Sequence, residues 1–123
     1  FVKPKCTSIW THRQTQGDYQ EMHSHPGGNL SGIMYVTVPE FAEDGNTSDG
    51  QSAFKLPFSK DVSKFILNDT WKHSPQAGNI VLFPSHIPHT VYPWRGEGYR
   101  TIVAFNAILR PRDEYFPQGY KNG

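Results

Sequence analysis

Apolar positions along this chain come in short clusters rich in β-branched and aromatic residues. Each cluster ends at glycine, proline or a small polar residue, and no stretch keeps a helical spacing of apolar side chains between caps. Eight such segments stand out, at residues 6–11, 19–22, 30–38, 51–56, 71–74, 80–83, 89–92 and 99–109. Short strands at regular intervals with turn residues between them predict an all-β sandwich or barrel. Eight of them suit a jelly roll, the double-stranded β-helix, with little helix.

The connections differ in character. Residues 40–50 (EFAEDGNTSDG) are acidic and small, and are expected to form a mobile surface loop. Residues 59–69 (SKDVSKFILND) suit either one helical turn or a further short strand. Residues 110–123 are polar, carry two prolines and are expected to be a loosely attached tail. With no internal repeat and no low-complexity tract, 123 residues are expected to make one domain, 1–123.

Composition narrows the function. A content of 36% apolar and 14% aromatic residues supplies a core and argues against disorder. The formal net charge is +1 and the basic residues are scattered, so no nucleic-acid footprint and no polybasic membrane signal are expected. No apolar run reaches the ~18 residues of a membrane-spanning helix, and no leader pattern is visible. Cys6 is the single cysteine, which excludes a disulfide within the chain and favours a cytoplasmic setting. Phe1 rather than Met opens the chain, so the natural N-terminus is expected to be trimmed or to lie upstream.

Three of the six histidines form a pattern with chemistry in it. His23 and His25 make an H-x-H pair at the end of a predicted strand. Residues two apart in an extended chain face the same way, so both imidazoles can aim at one ion. His89 stands at the start of another predicted strand, behind Phe83-Pro84-Ser85-His86-Ile87-Pro88, where two prolines fix the backbone. Neutral imidazoles on a rigid scaffold suit a first-row divalent metal, and an incomplete protein shell leaves room for substrate and dioxygen. A lone histidine in a strand is most often packed or solvated; the pair together with a distant third marks the site. His86 competes for the place of His89. His12 and His73 have no partners in sequence and read as surface or core residues.

Arg100 lies eleven residues after His89, beyond the turn Trp94-Arg95-Gly96-Glu97-Gly98, on the next predicted strand. As hairpin neighbours the two strands would place its guanidinium inside the same barrel as the metal. A permanently charged, fork-shaped donor there needs an anionic partner, and a carboxylate fits it bidentately. An outward-facing arginine on an edge strand is the competing reading.

H-x-H, a long gap, a third His and then Arg100 resemble the iron(II)- and 2-oxoglutarate-dependent oxygenase superfamily, whose usual signature is H-x-D/E, a distal His and an Arg beyond it. The matching text comprises residues 23–36 (HSHPGGNLSGIMYV), 78–85 (GNIVLFPS), 89–91 and 100–106, and the resemblance extends from Trp10 to Asn106. It is nearest to the small bacterial and phage proteins grouped as 2-oxoglutarate–iron(II) oxygenases. The resemblance implies Fe(II) and 2-oxoglutarate as cofactors and hydroxylation of a C–H bond with release of succinate and CO2. It also implies His23 and His89 as iron ligands, with Arg100 on the distal carboxylate of 2-oxoglutarate. Tyr35 would place its hydroxyl on that carboxylate, although an aromatic on a strand also reads as core.

One departure matters. His25 stands where the superfamily carries a carboxylate, and three neutral ligands leave iron more positive than two histidines and one acid. Three arrangements are open: His25 ligates directly, Glu21 on the same strand substitutes, or water or an anion fills the position. Asn106 shares a face with Arg100 and reads as polar lining or as a strand terminus.

Two rival readings share the fold. A cupin-like metal enzyme that does not use 2-oxoglutarate would match Gly17, His23, His25, Gly78, Pro84 and His89. Asn29 and Leu30 stand where its glutamate belongs, however, and Pro93 where its asparagine does. A non-enzymatic jelly-roll module would bind through exposed aromatics such as Trp94 and Tyr92. Arg100 and the block ending in Phe105-Asn106 favour the oxygenase. The substrate and the oligomeric state are not specified.

Overall fold

The computed structural model of the protein describes residues 2–43, 48–58 and 69–111. Those residues form ten strands and no helix, and therefore contain no helix long and apolar enough to cross a membrane. The strands are β1 (Val2–Gln14), β2 (Gln20–His23), β3 (Leu30–Thr37), β4 (Glu40–Phe41), β5 (Ser52–Lys55), β6 (Thr70–His73), β7 (Ile80–Pro84), β8 (His89–Val91), β9 (Gly96–Glu97) and β10 (Arg100–Pro111). Of the segments in doubt from sequence, 59–68 and 112–123 lie outside the described residues, as do 44–47 of the acidic loop.

All eight predicted segments have a counterpart, but β1 and β10 are longer than predicted. They pair antiparallel from Gln14↔Arg100 to Val2↔Pro111, with a bulge between Cys6 and Ser8. A long ladder satisfies the backbone groups of residues such as Lys3, Lys5 and Arg13, which carry no strand signal of their own. Arg110 and Pro111, expected to open the tail, are strand residues opposite Lys3 and Val2.

β4 and β9 fall in segments expected to be loop and turn, and they pair with each other. The ribbon needs Gly96: its φ of +140° suits glycine, and a Cβ there would collide with the backbone of Glu40. Trp94, just before β9, is 1% exposed and meets Phe41 edge to face, and Tyr92 is only partly exposed. Trp94 therefore offers no exposed ring to the binding-module reading, whereas Tyr92 keeps part of its surface open.

Two four-stranded antiparallel sheets, β1-β10-β3-β7 and β2-β8-β5-β6, make a double-stranded β-helix. Side chains alternate across them, as in β7, where Ile80 and Leu82 face out and Val81 and Phe83 are buried. Ile33, Tyr35, Phe54, Val81, Phe83, Ile87, Ile102 and Ala104 form the core. Phe54 meets both Phe83 (ring centroids 4.9 Å apart) and His89 (5.6 Å), joining the core to the histidines. Burying a ring of that size contributes roughly 2–3 kcal/mol.

Candidate active site

Pairing of β2 with β8 sets His23 directly opposite His89. His25, two residues past the end of β2, turns back to the same point. One ligand atom from each of the three lies within 4.8 Å of the other two, and no other such group of His, Cys, Asp or Glu occurs among the described residues. His25 Nε2 and His89 Nε2 are 3.2 Å apart. A divalent ion with metal–nitrogen bonds of about 2.0–2.1 Å holds neighbouring ligand nitrogens roughly 2.8–3.4 Å apart, so the His25–His89 separation fits.

The other ring nitrogens of His23 and His89 are committed. His89 Nδ1 lies 3.0 Å from the Ile87 carbonyl and His23 Nδ1 lies 2.7 Å from that of Glu21. Donation from each Nδ1–H would leave Nε2 with its lone pair toward the cluster, the arrangement that orients metal-binding histidines. Glu21 offers this backbone contact only: it is exposed and its carboxylate does not join the cluster. His86 is exposed and also lies outside it.

A network of backbone bonds positions His25. Its N–H donates to Ser85 O (2.9 Å), Ser85 N–H donates to Asn29 O (3.3 Å) and Asn29 N–H donates to Ala107 O (3.1 Å). The Asn29 side chain adds a two-way clasp, Nδ2 to Leu109 O (3.1 Å) and Leu109 N–H to Oδ1 (2.8 Å). Gly28 permits this approach, because a Cβ there would stand 2.5 Å from Ala107 O.

Burial lowers the pKa of His89 to about 4; the Ile87 contact opposes the shift, and His23 and His25 add to it. His25 is shifted the same way, by burial and then by His23. Both rings are therefore neutral at pH 7, as ligands must be.

Arg100 faces inward and is fully buried. Its Nη1–H donates to Gln14 Oε1 (2.7 Å) and its Nη2–H to Ser52 Oγ (3.2 Å). Ser52 in turn shares a 2.8 Å hydrogen bond with the Tyr35 hydroxyl. Burial presses the guanidinium below its ordinary pKa, while Tyr35 opposes that shift. Among the described residues no carboxylate forms an ion pair with Arg100, and its Nε–H has no acceptor.

One narrow cavity of about 50 Å³ is lined by the three histidines and by Arg100. Ile33, Phe83, Val91, Ile102 and Ala104 form its apolar walls. Trp10, 37% exposed, lies against His25 (centroids 5.6 Å apart), and His12 and Gln20 also line the space.

Of the five residues singled out in the sequence, His23, His25, His89 and Arg100 line this one cavity, while Tyr35 is not among its lining residues and joins Arg100 through Ser52. The structure adds Gln14, Ser52 and Trp10. Gln14 and Trp10 had one usable signal: Ser8, Trp10, His12 and Gln14 alternate along β1 on the face opposite Asn106, Ala104, Ile102 and Arg100. His73 sits elsewhere, packed between Tyr35 and Trp71.

A family model described as "Putative 2OG-Fe(II) oxygenase" matches residues 8–106. Among solved structures, an oxidoreductase of the 2OG-Fe(II) oxygenase family from Burkholderia pseudomallei is similar with a TM-score of 0.65. It is 13% identical, over 85% of this chain and 44% of that one. A prolyl-4-hydroxylase from Pseudomonas putida has a TM-score of 0.51 at 19% identity, over 85% of this chain and 51% of that one. A cupin domain from Bordetella pertussis has a TM-score of 0.48 at 12% identity, over 86% of this chain and 92% of that one. The chain spans about half the length of the two oxygenase structures, and at these identities the likeness is one of fold. A search of curated protein sequences finds no match.

Proposed function

The chain belongs to the 2OG-Fe(II) oxygenase family, and on that premise we propose that it is an iron(II)- and 2-oxoglutarate-dependent dioxygenase that hydroxylates a C–H bond of its substrate. The observation that carries the reading is Arg100. A buried guanidinium without a counter-charge costs several kcal/mol, and Arg100, which pairs with no carboxylate among the described residues, lines the same cavity as three convergent imidazoles. A ligand with a metal-chelating end and a distant carboxylate answers both features, and 2-oxoglutarate has that form.

In this reading His23, His25 and His89 hold the iron through Nε2, consistent with the two committed Nδ1 atoms and the 3.2 Å spacing. Bound iron with 2-oxoglutarate and dioxygen supplies oxidative decarboxylation of the cosubstrate, to succinate and CO2, coupled to C–H hydroxylation. The chain's own residues bind and orient. Arg100 takes the distal carboxylate, with the hydroxyls of Tyr35 and Ser52 beside it. Ile33, Val91, Ile102 and Ala104 keep the space between the two ends dry, which strengthens the charge pairing. With His25 in place of an acid, none of these three ligands carries a negative charge to offset the metal, and the cavity favours a dianion more strongly.

The test is titration of the iron(II)-loaded, oxygen-free protein with 2-oxoglutarate, following the metal-to-ligand charge-transfer band. Saturable binding is expected in the parent. Arg100→Ala should retain iron and lose about 2–5 kcal/mol of cosubstrate binding, roughly thirty-fold to several-thousand-fold in affinity. No band in the parent, or an unchanged affinity in the variant, rejects the reading.

A further inference from the structure

We propose that Gln14 is a positioning residue that orients Arg100 without neutralising it, and thereby makes the buried end of the cavity selective for a dicarboxylate. The inference rests on the oxygenase reading and adds to it a residue and a source of selectivity.

Gln14 closes β1 and pairs directly with Arg100 across the ladder, which brings the two side chains to one face. It is 1% exposed. Its Oε1 accepts from Nη1 and Ser52 Oγ accepts from Nη2, so both arms of the fork are held. Both acceptors are neutral. Glutamate has nearly the same shape as glutamine and would offer the same oxygen with a full counter-charge. In this water-poor interior the attraction between such a pair is strong, and it would consume the charge that a ligand carboxylate needs.

A second observation points the same way. Gln14 Nε2 and Arg100 Nε are both buried donors that find no acceptor among the described residues, on side chains already in contact. Buried donors are nearly always paired in folded proteins, and a carboxylate, with several lone pairs, is an acceptor suited to such a place. Gln14 is outside the histidine cluster, so changing it leaves the ligand set intact.

The experiment uses the whole chain, iron(II)-loaded and free of oxygen, with 2-oxoglutarate and pyruvate as probes. Pyruvate keeps the chelating 2-oxo acid but lacks the distal carboxylate. The parent should prefer 2-oxoglutarate strongly. Gln14→Glu should hold iron like the parent yet bind 2-oxoglutarate about a hundredfold more weakly, because the new carboxylate occupies Arg100. Its affinity for pyruvate should change little. Without either probe, Gln14→Glu should unfold at a higher temperature than the parent, since the buried cation has gained a partner. A residue that only supported the fold would move stability and affinity in the same direction.

Gln14→Met, which removes the amide and adds no charge, should lose about tenfold in 2-oxoglutarate affinity with no gain in stability. It decides the matter if the glutamate variant does not fold. Parent-like preference for 2-oxoglutarate in either folded variant overturns the role of Gln14. Absence of any 2-oxoglutarate binding in the parent overturns the oxygenase reading itself, and the two failures are thereby told apart.

Discussion

His25 and His89 lie 64 residues apart in the chain, yet their Nε2 atoms are 3.2 Å from each other. The other nitrogen of His89 is directed at the Ile87 carbonyl, and the separation is one that two ligands of a single ion adopt. His23→Ala and His89→Ala should each weaken iron(II) binding by more than the ~10–100-fold that follows loss of a partner outside the ligand set. Competition against a chromogenic chelator measures this, and parent-like affinity in both variants would place the metal elsewhere.

The third position separates the histidine from its acidic rival. Glu21→Gln should leave iron affinity unchanged, because that carboxylate is exposed and outside the cluster. His25→Asp should retain iron and bind 2-oxoglutarate several-fold more weakly, since one negative charge then faces the incoming dianion. The same chelator competition and the charge-transfer titration check both expectations. Loss of iron from Glu21→Gln would restore the glutamate as a ligand.

Acid should destabilise the metal-free protein through His89. Its pKa is about 4 in the fold against 6.5 in the unfolded chain, so the unfolded state binds the extra proton between those values. Stability is complete above about pH 6.5 and falls as pH drops toward about 4, by about 3 kcal/mol in all. His25 shifts in the same direction and adds to the loss. Denaturant melts at pH 7 and pH 4.5 measure it; a His89→Gln variant should lose most of this dependence, and an equally steep profile there would assign it to other groups.

Gly28 should tolerate no side chain. Gly28→Ala puts a Cβ 2.5 Å from the Ala107 carbonyl oxygen, so two backbones must part and the Asn29–Ala107 hydrogen bond weakens. A cost of about 1–3 kcal/mol is expected, together with weaker iron binding, because this segment carries His25. Gly27→Ala is the control: its Cβ meets only Asn106 Nδ2 at 3.5 Å, an ordinary contact. Urea midpoints and iron affinity of the two variants should therefore diverge, and similar values for both would remove the argument from close approach.

Much of this architecture is legible in the sequence. The eight strands, the shared face of His23 and His25, and the stop-and-start punctuation by glycine and proline are local properties. They follow from dihedral preferences and a two-residue period that each segment carries alone. The H-x-H pair, the distant histidine and Arg100 were recognisable because ligand chemistry restricts residue type and spacing.

What stayed hidden depends on which strands meet. Arg100 could face in or out until its pairing with Gln14 and the opposing sheet buried it. Gln14, a neutral amide at a strand end, has no chemical signature apart from the charge it touches. β4 and β9 are two residues each and exist through one another; their pairing is also what removes Trp94 from the surface. That the ring of His25, and not the carboxylate of Glu21, stands beside His89 followed only once the segment around Gly28 closed on Ala107. Periodicity is written into neighbouring residues, whereas burial, charge compensation and ligand convergence are created by contacts between residues far apart in the chain, and so arise only when the two sheets close.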